Sequence, residues 1–251
     1  MRVIPALLIK DEELVKGKAF ESHKIVGDPS NAIRIFSQKE ADEIMIFDIT
    51  ASIAGKINFE LIERFGEESY VPLAVGGGIR SLTDIEKVLH AGAEKVCLNT
   101  SAINNPVLIM DAARRFGSQA ITVCVDVRFQ SGEYIIYSEC GKSKYTNNII
   151  NYIRMAEDMG AGELVVSSID KDGTKSGYDL NLISLVSSSI SIPVVALGGA
   201  SGVDDIRRVS LETSASACAV GAFFTLYGKM NAPLIRYPKP NELEDIRNED
   251  M

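Results

Sequence analysis

Asp126 follows the apolar run Ile121-Thr122-Val123-Cys124-Val125, near the C-terminal end of what reads as a strand. An ionised carboxylate among apolar neighbours is costly without a partner, and an acid so placed suits general acid/base work. The competing reading is a salt bridge to Arg128 or Lys16. A second chemical stretch is Asp170-Lys171-Asp172-Gly173-Thr174-Lys175-Ser176-Gly177-Tyr178-Asp179, dense in acids, hydroxyls and glycine. It lacks the third acidic or amide ligand and the closing glutamate of an EF-hand, so contact with a substrate is favoured over calcium.

Glycines supply a third kind of chemistry. Gly76-Gly77-Gly78 with Asn99-Thr100 form one set, and Gly198-Gly199 with Gly221-Ala222 form another. Such glycines let backbone N–H groups approach an anion closely, and a following helix N-terminus adds a favourable dipole. Glycine also simply ends strands at tight turns, but recurrence at two equivalent places favours two phosphate sites. Two sites on opposite sides of one mouth imply a long substrate with a phosphate at each end.

Other candidates are few. His23 and His90 fall in polar or helical contexts, so a histidine-based triad has little to work with and proton chemistry falls to carboxylates, lysines or cysteines. Cys97, Cys124, Cys140 and Cys218 show no Cys-x-x-Cys pairing and mostly lie in apolar runs, which reads as reduced thiols in a cytoplasmic protein rather than a disulfide or zinc framework. Cys140, the one expected to face the mouth, reads as an inert replacement for serine. No cofactor and no metal are called for.

These residues need a scaffold, and the chain's length and pattern indicate which. At 251 residues it suits one α/β barrel or two smaller domains. Its 34 acids against 26 bases, a net charge of −8, disfavour a nucleic-acid surface while leaving room for a local cluster aimed at a phosphorylated small molecule. The opening apolar run is too short to span a membrane and lacks a small-residue cleavage site, so neither a membrane segment nor a signal peptide is read. Eight short apolar runs, near 3–9, 43–48, 71–76, 95–99, 121–127, 163–169, 193–198 and 216–221, alternate with helical periodicity. Asp28-Pro29 looks like a helix cap with a first-turn proline, and Ile85, Val88 and Leu89 mark one face of a helix over 83–91.

An internal repeat argues for closure. Ala41-Asp42-Glu43 is echoed by Ala161-Gly162-Glu163, and Gly77-Gly78 by Gly198-Gly199, at an offset of about 120 residues. Two four-strand halves, about 1–120 and 121–251, predict one (β/α)₈ TIM barrel domain, with the reacting groups at the C-terminal ends of its strands. The longest insertion expected is 128–148, with a hairpin turn at Gly132-Glu133, and the Pro-broken, charged tail over 237–251 reads as a last helix that frays.

The chain resembles the cyclase subunit of imidazole glycerol phosphate synthase, a barrel that takes ammonia from a partner glutaminase. The likeness runs through Val15-Lys16-Gly17, Gly27-Asp28-Pro29, Phe47-Asp48-Ile49-Thr50-Ala51-Ser52, Val75-Gly76-Gly77-Gly78-Ile79, residues 95–100, Phe116-Gly117-Ser118-Gln119 and the loop over 170–179. The resemblance implies that Asp126 is one of a catalytic pair of aspartates. It places Lys16, Asp48, Asn99, Cys140, Ser167 and Asp172 against substrate, and phosphates at Gly77, Gly78 and Thr100 and at Gly173, Gly198, Gly199, Gly221 and Ala222. The second aspartate is missing: the family's Cys-Leu-Asp-Val on the first strand is here Ala6-Leu7-Leu8-Ile9, so Leu8 stands in its place. Cys140, Ser167, Leu197 and Gly221 also depart from the family pattern on that face.

The opposite face keeps the pattern. A ring of alternating charge that gates ammonia in the family is matched by Arg2, Glu43, Lys95 and Glu163, where a class I glutaminase would dock as the partner of a heterodimer. Delivery of ammonia retained and acid/base pair altered is the pattern of paralogues that work with a glutaminase and a sugar-amidating enzyme in surface polysaccharide synthesis. The stretch Gly228-Lys229 followed by Leu234-Ile235-Arg236-Tyr237-Pro238 looks like theirs. They convert an N-acetyl group on a nucleotide-linked sugar to an acetamidino group. Authentic imidazole ring closure is the first alternative, and a noncatalytic barrel that docks and activates a glutaminase the second.

Overall fold

In a computed structural model, residues 1–247 are described. Eight strands form the barrel: β1 (Arg2–Lys10), β2 (Ile44–Asp48), β3 (Leu73–Gly76), β4 (Lys95–Leu98), β5 (Ile121–Gln130), β6 (Glu163–Ser168), β7 (Val194–Leu197) and β8 (Ala217–Val220). All neighbours are parallel, β8 pairs β1, and β5 pairs β6, so the sheet closes on itself with no free edge. The eight expected strands are therefore present, with ends differing by up to three residues.

Alternation along each strand sorts side chains into two cores. Val3, Leu7, Ile9 and Val96 point out into the core that the strands share with the helices, which contribute Ile33 and Phe36, while Ile4, Ala6, Met45, Ala74, Cys97, Cys124, Val165 and Val195 fill the barrel interior. Asp28 caps the helix Pro29–Gln38 by accepting from Asn31 N at 2.6 Å, and the helix Leu82–His90 buries Ile85 and Val88, as the sequence pattern indicates. The two halves repeat locally. After β4 and β8 the chain turns into short helices through Asn99 (φ −123°, ψ −83°) and Gly221 (φ −100°, ψ −80°), nearly the same conformation.

Two additions sit on the C-terminal rim. The expected insertion after β5 is an antiparallel extension: β5 pairs with Glu133–Ser138 across a turn at Ser131-Gly132, one residue before the position expected, and Glu133–Ser138 pairs with Ser143–Tyr145. The other addition was not expected from the sequence. Strands Glu13–Lys18 and Glu21–Gly27 form a hairpin that continues β1, with Leu8 opposite Val15. The tail forms the helix Pro240–Arg247; residues 248–251 of that expectation lie outside the described residues. Among the described residues no helix is long and apolar enough to cross a membrane.

Candidate active site at the mouth of the barrel

At the C-terminal ends of the strands a cavity of about 770 Å³ opens, lined among others by Leu8, Lys16, Asp48, Asn99, Asp126 and Asp172. Leu8 and Asp126 stand on β1 and β5, four strands apart in the closed order and hence on facing walls. Asp126 pairs in register with Ser167 of β6 and has no salt bridge among the described residues. The alternative partners are taken: Lys16 binds Asp172, and the Arg128 guanidinium lies over the Tyr137 ring at 5.6 Å. Burial first, and the Asp172 charge second, push the Asp126 carboxyl up to about 7, so near neutral pH it can both give and take a proton.

Lys16 comes down from the hairpin over the mouth. Its Nζ lies 2.6 Å from Asp172 Oδ1, with both side chains more than nine-tenths buried. Asp172 Oδ2 and the hydroxyl of Ser167 are buried without a hydrogen-bond partner, at the mouth rather than in the core. A Cβ on Gly221 would sit 3.3 Å from Lys16 Nζ, so the missing side chain there makes room for the ammonium. The rest of the loop is sorted by the structure. Asp170 accepts from Phe129 N at 2.9 Å, and Asp179 caps the helix Leu180–Ser187 while accepting from the Tyr134 hydroxyl. Asp172 alone of the loop's three aspartates lines the cavity. No group of three or more His, Cys, Asp or Glu among the described residues is placed to hold a metal.

The expected substrate contacts line the cavity, but their free atoms differ. Asn99 spends its amide on the carbonyls of Cys124 (3.0 Å) and Tyr137 (3.4 Å), and its Oδ1 accepts from Thr100, so it braces the β4–β5 wall. The Thr100 hydroxyl also accepts from Glu139 N at 3.0 Å. Asp48 caps the helix Ile49–Ala54 through Ala51 N at 2.8 Å, and burial still holds its carboxyl above the usual range. Cys140 sits in a left-handed turn (φ 57°) and is half-buried. Burial, then the Asp126 charge, raise its pKa against an opposing hydrogen bond to Ser52, which keeps the thiol protonated.

Gly77 and Gly78 line the large cavity, and so does Gly221, which with Gly173, Gly198, Gly199 and Ala222 also lines a small recess that shares Asp172 and Leu197 with it. Crowding explains Gly199: at φ 111°, a Cβ would lie 2.2 Å from the Gly177 carbonyl oxygen. Residues that the sequence reading did not single out also line the mouth, notably His23, Arg80 and Lys142. The His23 imidazole lies over Gly17, and its pKa is lowered by burial, then by Lys10 and Lys16, against Asp172. Its strand lacks a clean apolar alternation, so spacing alone does not flag it.

At the other end of the barrel, Arg2, Glu43, Lys95 and Glu163 close a ring. Arg2 binds Glu43 at 2.7 Å and also Glu163; Lys95 binds Glu43 at 2.8 Å and Glu163 at 3.0 Å. Burial lowers the Arg2 pKa, but Glu163 and Glu43 more than offset it. Glu43, almost fully enclosed, is instead held above the usual range by burial, with Lys95 and Arg2 only partly compensating and Glu163 adding to the rise.

The closed parallel barrel, with a large cavity ringed by strand ends and glycine turns, defines a (β/α)₈ barrel of the kind whose reacting groups gather on that face. The chain belongs to the histidine biosynthesis protein family, whose model matches residues 2–231. It is 40% identical over 245 residues to imidazole glycerol phosphate synthase subunit HisF of Hydrogenobaculum sp., covering 96% of this chain and 97% of that one. It is also 41% identical over 246 residues to a Pseudomonas aeruginosa protein provisionally named as subunit hisF2 of that synthase, covering 97% and 98%. A Vibrio vulnificus protein provisionally named subunit hisF3 is 39% identical over 244 residues, covering 96% and 94%.

Proposed function

We propose that this chain is the ammonia-using synthase subunit of a glutamine amidotransferase. As one barrel domain in the cytoplasm, it takes ammonia from a glutaminase docked on its N-terminal face and delivers it to a phosphorylated small molecule at the mouth. The observation that carries this reading is the closed ring of Arg2, Glu43, Lys95 and Glu163 across the barrel floor. Four mutually paired charges at the base of an apolar interior hold back ions and bulk water while a small neutral molecule can pass between them. At the mouth end of the interior stands Asp126, poised near neutrality.

The acceptor proposed is the N-acetyl group of a nucleotide-linked sugar, converted to an acetamidino group alongside a sugar-amidating enzyme. Its support is the combination of an intact ring with Leu8 facing Asp126, since leucine can neither give nor accept a proton. The second reading, imidazole ring closure in histidine synthesis, is favoured by the names of the relatives. Amide-¹⁵N-glutamine supplied to the complex with a glutaminase separates them. Label in the amidine of a nucleotide sugar, in the presence of the amidating enzyme, supports the first. Brisk formation of labelled imidazole glycerol phosphate from the ribulosyl intermediate overturns it. Unchanged product formation by Asp126→Asn would reduce the barrel to a docking partner.

A further inference from the structure

Two thiols of the barrel interior have no part in the chemistry above. Side chains alternate along a strand, so Lys95 and Cys97 of β4, with Asn99 just beyond it, form one inward-facing line, and Thr122, Cys124 and Asp126 of β5 form the next. The lower end of each line meets the charge ring: Lys95 binds Glu43 and Glu163, and the Thr122 hydroxyl lies 3.5 Å from Glu163 Oε2. The upper ends, Asn99 and Asp126, line the mouth. Cys97 and Cys124 are the step between, and both also line the cavity.

The two thiols are in hydrogen-bonding contact with each other, among apolar neighbours such as Met45, Ala74 and Val165. That contact first, and burial second, hold the Cys124 thiol well above the usual range, which makes it a poor nucleophile. A disulfide does not suit the pair either. Cys97 is in register with Thr122, so Cys124 lies two residues further along the neighbouring strand. With strands about 4.8 Å apart and a rise of about 3.3 Å per residue, the two Cα atoms stand roughly 8 Å apart. Beyond about 7 Å a disulfide forms only if the backbone moves, which a closed sheet resists. A diagonal pair of sulfurs instead accepts an atom between them. Zinc asks for four ligands, and among the described residues no group of three or more His, Cys, Asp or Glu is placed to hold a metal. Two thiolates without a third donor suit the softest cations, of which copper(I) is the biological example.

We propose that Cys97 and Cys124 form a two-coordinate site for a soft monovalent cation of the copper(I) kind, inside the barrel between the charge ring and Asp126. Two sulfur–metal bonds form as two thiol protons leave to solvent, with no change of oxidation state. The complex keeps one negative charge, and Lys95, one step below Cys97 on β4, is the neighbouring ammonium. As a binding site it stands on the barrel interior alone. Its consequence, that a bound cation obstructs ammonia on the way from the ring to the mouth, rests on the function proposed above.

Anaerobic titration of the whole chain with copper(I), in competition with a chromogenic copper(I) chelator, tests it. One tightly held copper(I) per chain is expected, with two sulfur neighbours by X-ray absorption. Cys97→Ser and, separately, Cys124→Ser should each weaken binding at least a hundredfold, while Cys140→Ser, at the rim, leaves it within threefold. Cys124→Ala replaces Cys124→Ser if the latter does not fold. Binding indifferent to Cys97 and Cys124, binding lost in Cys140→Ser, or a sulfur count other than two overturns the site whatever the ammonia assays show. Binding as expected, with undiminished glutamine-driven turnover when the copper-loaded barrel is joined to its glutaminase, leaves the site standing and removes only the obstruction.

Discussion

Lys16 Nζ lies 2.6 Å from Asp172 Oδ1, a buried ion pair that joins the hairpin after β1 to the loop after β6. The backbone reinforces it: Ala19 N donates to the Asp172 carbonyl at 2.9 Å, and a Cβ on Gly173 would meet the Gly17 carbonyl oxygen at 2.0 Å. The hairpin is therefore seated on the loop and covers that side of the mouth. Removing one partner leaves the other charge buried, a loss generally of about 3–5 kcal/mol. Because this pair opens onto a wet mouth, Lys16→Met should cost somewhat less, about 2–3 kcal/mol, by urea unfolding. Replacing both residues with apolar ones should recover part of that loss.

Asp126 should destabilise the fold at alkaline pH. Its unfolded value is near 3.8 and its folded value about 7, so between those pH values the native state holds a proton that the unfolded state has released. Stability from this group is full below pH 4 and falls as pH rises through 7. A shift of this size corresponds to about 4 kcal/mol, and partial access to the mouth halves it, to ~2 kcal/mol. Asp126→Asn should then raise the melting temperature at pH 8 by about 4–8 °C, with little change at pH 4, while losing ammonia-dependent turnover. Paired thermal melts at the two pH values check it.

The barrel was legible because each strand is a short apolar run ended by glycine or a polar residue, and because residues such as Glu43 and Glu163 repeat at the half-barrel offset. The hairpin over 13–27 was not, for a physical reason. Its turns place Asp11 (φ 51°), Glu12 (φ 64°), Ala19 (φ 52°) and Phe20 (φ 67°) in the left-handed region without the Asn-Gly or Asp-Gly pairs that normally signal such turns. Its strands, with Lys16, Lys18, Lys24 and Glu21, also lack a clean apolar alternation. His23 was lost with it. Arg80 was missed differently, since its position against Gly55 depends on two turns brought together only by the sheet. The crowding of Gly199 against the Gly177 carbonyl is likewise a matter of packing that spacing does not encode.

The charge ring makes its own prediction. Lys95 binds both Glu43 and Glu163, and Glu43 Oε1 already lacks a hydrogen-bond partner. In Lys95→Met the two carboxylates share Arg2 alone, so one of them should take up a proton near neutral pH. Coupling should suffer more than chemistry: glutamine-driven turnover in the glutaminase complex should drop at least tenfold, while turnover with added ammonium chloride changes less than threefold. Equal loss in both assays would place the residue in folding or docking rather than in passage.

Leu8→Asp asks how much of the mouth's chemistry hangs on one side chain. Leu8 faces the cavity from β1, opposite Asp126, and pairs with Phe47 of β2 and Val15 of the hairpin. A carboxylate there enters a site that already contains Asp126 and Asp172. Like charges push one pKa of such a set upward, so the new acid and Asp126 should titrate as a pair rather than singly. General acid/base groups contribute about 10²–10⁴-fold in rate. If loss of this acid is what separates the chain from imidazole-forming relatives, Leu8→Asp should raise imidazole glycerol phosphate formation from the ribulosyl intermediate and ammonium at least a hundredfold. The rate should then show a bell-shaped pH dependence that the parent lacks. A gain below tenfold would instead assign the difference to the substrate-binding surface, where Leu197 and Gly221 present no hydroxyl. The two outcomes thus divide the altered mouth into a change of proton chemistry and a change of binding.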